Sequence, residues 1–187
     1  MDKSSQFLSL SGLAGVMAGI YALAGAFVVK QITNRHRGLI TLESHSFKLI
    51  TVVAAGVLLL SVGTAFILSS QKAKKDGEVI WNSTSKRLAA NFMIPLCTGG
   101  IFSIFLIRLH IYGEVIAPIT LIFYGLACVN ASKYTLRDVR YLGLTNVIIG
   151  LVATYFIGYG LEFWALGFGV CHIVYGSVMY FKYDRKQ

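Results

Sequence analysis

The sequence predicts an all-α integral membrane protein, a single bundle of six transmembrane helices arranged as three helical hairpins, and three observations carry that prediction. Six runs without a charged side chain, 26, 23, 20, 18, 21 and 19 residues long, occupy most of the 187 residues. A run of about 18 or more apolar residues can cross the roughly 30 Å hydrocarbon layer as a helix, and a soluble domain of this size has no interior that could hide six of them. The composition, 56% hydrophobic and 13% charged, leaves too little polar surface for a soluble globule. Finally, 12 of the 17 Lys and Arg residues fall in the two termini and in the second and fourth connections, leaving 5 for the first, third and fifth. Short cytoplasmic loops are enriched in these residues, so both termini are expected inside. The net charge of +9 therefore serves topology first, and nucleic acid is not an expected partner.

The expected spans cover 7–29, 47–70, 88–108, 115–132, 140–159 and 163–181. The first is lined by Ser11, Gly15 and Gly19 at four-residue spacing, with Ala18, Ala22, Gly25 and Ala26 nearby. Small residues let helix backbones approach closely, so this face is expected to pack within the bundle, or otherwise to form a homo-oligomer or dock another membrane protein. Met1-Asp2-Lys3 and Ala22-Leu23-Ala24 have the look of a secretory signal, but the uncharged run exceeds the 7–15-residue signal core, so a span is preferred. The first connection, with Lys30, Arg35, Arg37 and Lys48, is the weak point of the orientation.

After the second span, Gln71–Arg87 carries Lys72, Lys74, Lys75, an Asp76-Gly77 turn and Trp81 as an interface anchor. Asn82-Ser83-Thr84 matches a glycosylation acceptor, without weight on the expected cytoplasmic side. In the third span Pro95 lacks an N–H and opposes the carbonyl of Asn91, so a kink there would expose a carbonyl beside an amide. Arg108–Glu114 is short enough to force the third and fourth spans antiparallel, as Gly158–Glu162 does the fifth and sixth. Glu114 with Pro118 and Glu162 start the fourth and sixth spans, where a carboxylate complements the positive helix end. Thr135-Leu136-Arg137-Asp138 has capping-box form before the fifth span. The resemblance of Leu142-Gly143-Leu144-Thr145 to Leu8-Ser9-Leu10-Ser11, and of Asn146-Val147-Ile148-Ile149 to Asn91-Phe92-Met93-Ile94, suggests a hairpin repeat.

Chemistry-bearing residues are few. His172 lies ten residues before Lys182, about 15 Å along a helix and so near the bilayer midplane, with Tyr175 one turn on. An intramembrane ionisable residue is a functional candidate by default, and its bland alternative is a neutral imidazole bonded to a neighbouring helix. Asn91, Asn130 and Asn146 place an amide at similar depth on three helices, either as interhelical glue or as the lining of a polar vestibule. Cys97, Cys128 and Cys171 lack metal-ligand spacing, no metal site is expected, and the sequence names no cofactor. There is no phosphate loop, His-Glu-x-x-His or Gly-x-Ser-x-Gly. The basic and aromatic segments Lys133–Tyr141 and Tyr180–Lys186 suit anionic lipid headgroups, making the bilayer the first partner.

Leu8 to Leu23, the run Tyr124–Thr135 and the run Gly167–Gly176 resemble a family of small bacterial six-span membrane proteins to which no activity is attached. The resemblance implies a bacterial cytoplasmic membrane and one domain. The expected function is to bind or pass a small or amphipathic molecule through a cavity walled by the sixth span, with His172 and Tyr175 as polar contacts and Asn91, Asn130 and Asn146 at its inner mouth. The alternatives are a scaffold docking another membrane protein through the first span, and a membrane enzyme using His172.

Overall fold

A computed structural model describes residues 11–35, 42, 44–75, 77, 79–111 and 115–185. Among them the chain forms six helices: α1 (Gly12–Arg35), α2 (His45–Lys75), α3 (Ser83–Arg108), α4 (Ile116–Ala131), α5 (Asp138–Tyr155) and α6 (Gly160–Asp184). Helices α1, α2, α3 and α6 are long and apolar enough to cross a membrane. Helices α4 and α5 are shorter than the spans expected for them. Helix α4 has 16 residues, about 24 Å of helix against a layer of roughly 30 Å. Helix α5 spends its first turns on Asp138, Arg140, Thr145 and Asn146 and stops at Tyr155, four residues before the expected end of its span. The chain then turns through Gly158 at φ +95°, a backbone conformation that L side chains rarely adopt.

The buried side chains come mainly from α1, α4, α5 and α6, among them Ala22, Leu121, Cys128, Asn146, Ala153 and Met179. Helix α2 packs on α1 and α3 on α4, each at the edge of this core. The helix pairs α1–α2, α3–α4 and α5–α6 are each in contact, but the two most extensive interfaces join α1 to α6 and α4 to α5, across the expected hairpin boundaries. The outer faces of α2 and α3 expose Val52, Leu59, Phe66, Ile94 and Ile104. A contiguous apolar surface of this kind on packed helices belongs in lipid.

Between apolar helices in lipid there is little hydrophobic drive, so close approach and dispersion hold them together. The sequence supplies glycine where the backbones meet. A β-carbon on Gly176 of α6 would lie 2.5 Å from the Val16 nitrogen and 2.6 Å from the Gly12 oxygen of α1. Gly15 faces Gly176 and Gly19 faces Gly169 and Ile173 in the same interface. Gly125 of α4 and Gly143 of α5 are reciprocal, each leaving only 2.6 Å between a built β-carbon and the other's carbonyl oxygen. The small-residue face of α1 is thus filled by the chain's own sixth helix, while the Ser11 N–H donates to Ser69 Oγ of α2 at 3.4 Å.

Charges close the bundle at both ends. At one end Asp184 Oδ2 accepts from the Gly12 N–H at 2.8 Å and Oδ1 pairs with Lys72 at 2.6 Å, both side chains being nearly buried. A carboxylate at the first turn of α1 also complements its positive end. At that end too, Asp138 accepts from Lys182 at 2.8 Å and from the Tyr183 hydroxyl at 2.7 Å. The expected capping role of Asp138 is replaced by this contact, since α5 begins without a side-chain cap. Burial pushes the Asp138 carboxyl up, but the bonds from Lys182 and Tyr183 and the Lys182 charge outweigh it and hold its pKa below the ordinary value. At the opposite end Glu162, in the first turn of α6, meets Lys30 of α1 at 3.0 Å. Asn82 proves to be the N-cap of α3, in a reciprocal capping box with Ser85. Glu114, Asp76 and the segment Leu8–Leu10 lie outside the described residues.

Two measurements follow from this packing. Gly176→Ala should destabilise the protein by about 1–3 kcal/mol, because the obstructing atoms are backbone and the helices must part. Gly100→Ala, with nothing within 4 Å, should be neutral or slightly stabilising in the same thermal unfolding series in detergent. Because the folded pKa of Asp138 is depressed, its contribution should be complete above the unfolded carboxylate value of about 3.9 and vanish as pH falls from there through the folded value. Asp138→Asn should flatten that part of the acid denaturation profile, and an unchanged profile would show the contact to be inert.

Candidate functional site

His172 is placed by an irregularity in α6. Residues Ala165–Val170 form a π-helical turn, after which α-helix resumes at Cys171. In the widened turn the Gly167 carbonyl lies 2.9 Å from His172 Nδ1, five residues on. A carbonyl oxygen only accepts, so Nδ1 carries the hydrogen, and in a neutral ring Nε2 is then the acceptor. Nε2 lies 2.6 Å from the Tyr124 hydroxyl of α4, which therefore donates. Phe168 stacks beside His172, and Tyr124 sits edge-on to Phe92 of α3. His172 is 6% exposed, bonded through both ring nitrogens and enclosed by aromatic rings. This is a closed tie between α4 and α6. Neither ring nitrogen is open to an incoming substrate. Tyr175, one turn further along α6, makes no hydrogen bond to either member of the pair.

The three asparagines divide into two arrangements. Asn130 Nδ2 of α4 donates to the Asn91 carbonyl of α3 at 3.1 Å, the same carbonyl that Pro95 deprives of its helical donor. Asn91 turns its own amide back to the Arg87 carbonyl at 2.9 Å. Asn146 stands apart. Its Nδ2 donates to Leu142 within α5 at 2.9 Å, and its fully buried Oδ1 has no hydrogen-bond partner among the described residues. A β-carbon on Gly167 would lie 2.7 Å from that oxygen, so glycine alone fits opposite it. Among the described residues no group of three His, Cys, Asp or Glu side chains could hold a metal.

The larger opening lies elsewhere. A groove of about 340 Å³ runs between α3 and α4, lined by Pro95, Thr98, Phe123, Leu126, Val129, Asn130 and Lys133. Its wall is apolar from Phe123 to Val129 and turns polar at Asn130 and Lys133. A second, smaller groove of about 170 Å³ lies between α1 and α6 beside the Lys30–Glu162 pair. His172 lines neither. Of the ligand contacts expected from the sequence, His172, Tyr175, Asn91, Asn130 and Asn146, Asn130 alone lines the main groove; Pro95 lines it on α3, and Asn91 supports it from behind. Lys133 was legible only as a boundary charge; its position three residues after Asn130, just past the end of α4, was the signal that could have found it.

No family model, curated protein or solved structure matches the chain.

The Tyr124–His172 bond can be tested by a double-mutant cycle. Tyr124→Phe should cost on the order of 1–2 kcal/mol by leaving Nε2 buried and unpaired. Adding His172→Leu to it should cost less than the sum of the two single changes. Additive losses in chemical unfolding would mean that the hydroxyl and the ring do not act as a pair.

Proposed function

We propose that this chain is a multi-pass protein of a bacterial cytoplasmic membrane, with six spans, three hairpins and both termini on the Lys- and Arg-rich side, and that it binds an amphipathic molecule in the groove between α3 and α4. The observation that carries this reading is the polarity of that groove, apolar along Phe123, Leu126 and Val129 and polar at Asn130 and Lys133. Such a gradient suits a molecule with a hydrocarbon body and a polar head lying along the bilayer normal. Binding is favoured over passage, because the helices around His172 are closely packed and its ring nitrogens already bonded. Docking through the small-residue face of α1 is disfavoured by the glycine contacts that fill it from α6.

Helices α4 and α5, shorter than the bilayer, accord with local thinning or with flanking side chains reaching the interface, both of which cost little. Two experiments test the reading. Leu126 is 43% exposed on the groove wall, so Leu126→Trp should fill the groove without disturbing the core. A native mass spectrum of protein extracted gently from its own membrane should show a bound small amphiphile that this variant loses; identical spectra would remove the groove from consideration. For orientation, cysteines introduced at Lys75 and Tyr159 should be labelled by an impermeant reagent from opposite sides, Tyr159 from outside. Labelling of both from one side would refute the topology.

A further inference from the structure

The groove reading leaves open what kind of head group the molecule carries, and the charges around the mouth decide it. Lys133 closes the wall just past the end of α4, and among the described residues its Nζ reaches only Asn130 Oδ1, at 3.5 Å. On α3 the residues Arg87, Asn91, Pro95 and Thr98 recur at helical spacing, so Arg87 lies one turn beyond Asn91 towards the same mouth. The Asn91 amide bond to the Arg87 carbonyl keeps those two turns regular. Among the described residues the three ion pairs are Lys30–Glu162, Lys72–Asp184 and Lys182–Asp138, so no carboxylate neutralises Arg87 or Lys133. The nearest acid on the α4–α5 connection, Asp138, is already held by Lys182 and Tyr183. Among the described residues the charges at the mouth, Arg87 and Lys133, are positive on both walls. From Phe123 to the end of α4 at Ala131 the wall runs eight residues, about 12 Å of helix, with Lys133 two residues beyond, against about 15 Å for half of the hydrocarbon thickness. That is the depth of one leaflet.

We infer that the groove takes an anionic phospholipid from the Lys- and Arg-rich leaflet, with one acyl chain along Phe123, Leu126 and Pro95 and its phosphate between Arg87 and Lys133. This rests on the groove reading above. A single chain suits a groove one leaflet deep, and a guanidinium opposite an ammonium suits a phosphate better than a zwitterionic head, whose own cation would be repelled.

The test is a lipid titration of the delipidated full-length protein in mild detergent, read by native mass spectrometry, using phosphatidylglycerol and phosphatidylcholine with identical chains. Wild type should retain phosphatidylglycerol roughly thirtyfold more tightly, as two cations each worth about a factor of five near an anionic head would give. The exposed double variant Arg87→Gln/Lys133→Gln should bring the two lipids within about twofold of each other, the scale of the remaining detergent and chain effects, while Lys75→Gln leaves the ratio unchanged. Equal retention of both lipids by wild type, with both lost in Leu126→Trp, would overturn the anionic assignment and leave the amphiphile groove standing. Retention of neither, or indifference to Leu126→Trp, would overturn both. Displacement of phosphatidylglycerol by millimolar inorganic phosphate would also overturn it, since phosphate alone would then be the occupant.

Discussion

Two helices in hydrocarbon gain little by hiding apolar side chains from one another, so they must gain by touching. The contact between α1 and α6 shows how closely they do so: Gly12, Gly15 and Gly19 on one side meet Gly169 and Gly176 on the other, with backbone against backbone. The rest of the arrangement depends on that approach. It brings the start of α1 beside the end of α6, where the Gly12 N–H finds Asp184, and Asp184 in turn binds Lys72 of α2. A carboxylate so nearly buried needs both partners, since a buried charge left unpaired is far costlier than a pair is beneficial. At the far end the same two helices are joined by Lys30 and Glu162, a half-exposed pair whose energetic weight is small and whose effect is to keep register.

The second glycine contact, between α4 and α5, gives the bundle its other half. The halves meet where Tyr124 of α4 reaches His172 of α6 and where Asn146 of α5 abuts Gly167 of α6. The π-helical turn of α6 leaves the Gly167 carbonyl facing the imidazole, and such turns inside α-helices are frequent at functional sites. Here what it serves is the closed tie between α4 and α6. A buried histidine costs little once its donor and acceptor are both satisfied, so the polar residue most conspicuous in the sequence ends in a closed contact and the open groove lies elsewhere, between α3 and α4.

Much of the candidate site was legible in part. Pro95 must free the carbonyl four residues before it, and Asn91 is that residue; its partner, Asn130, could not be read because nothing in one helix specifies which side chain of another will arrive opposite. Asn91, Asn130 and Asn146 were expected at one depth, since depth follows from distance along a helix to its charged end. They do not share a network, since rotation about the helix axis sends Asn146 towards α6 and Asn130 towards α3. Asp138 shows a local rule overtaken by a tertiary one: the capping pattern was present, but Lys182 and Tyr183 offered a stronger demand for its carboxylate than the first turn of α5 did.

Helical class, the apolar runs and the uneven distribution of Lys and Arg were determined by the sequence alone, because a membrane imposes its requirements on each segment separately: every backbone group satisfied within its own helix, and every charge kept near an end. Which helices would be central was decided only in three dimensions. Helix α2 is the most apolar of the four long helices and is the least buried; α4 and α5 are the shortest and yet form one of the two most extensive interfaces. In lipid an apolar side chain has no reason to be inside, and burial goes instead to the helices whose glycines and amides find complementary backbone on a neighbour.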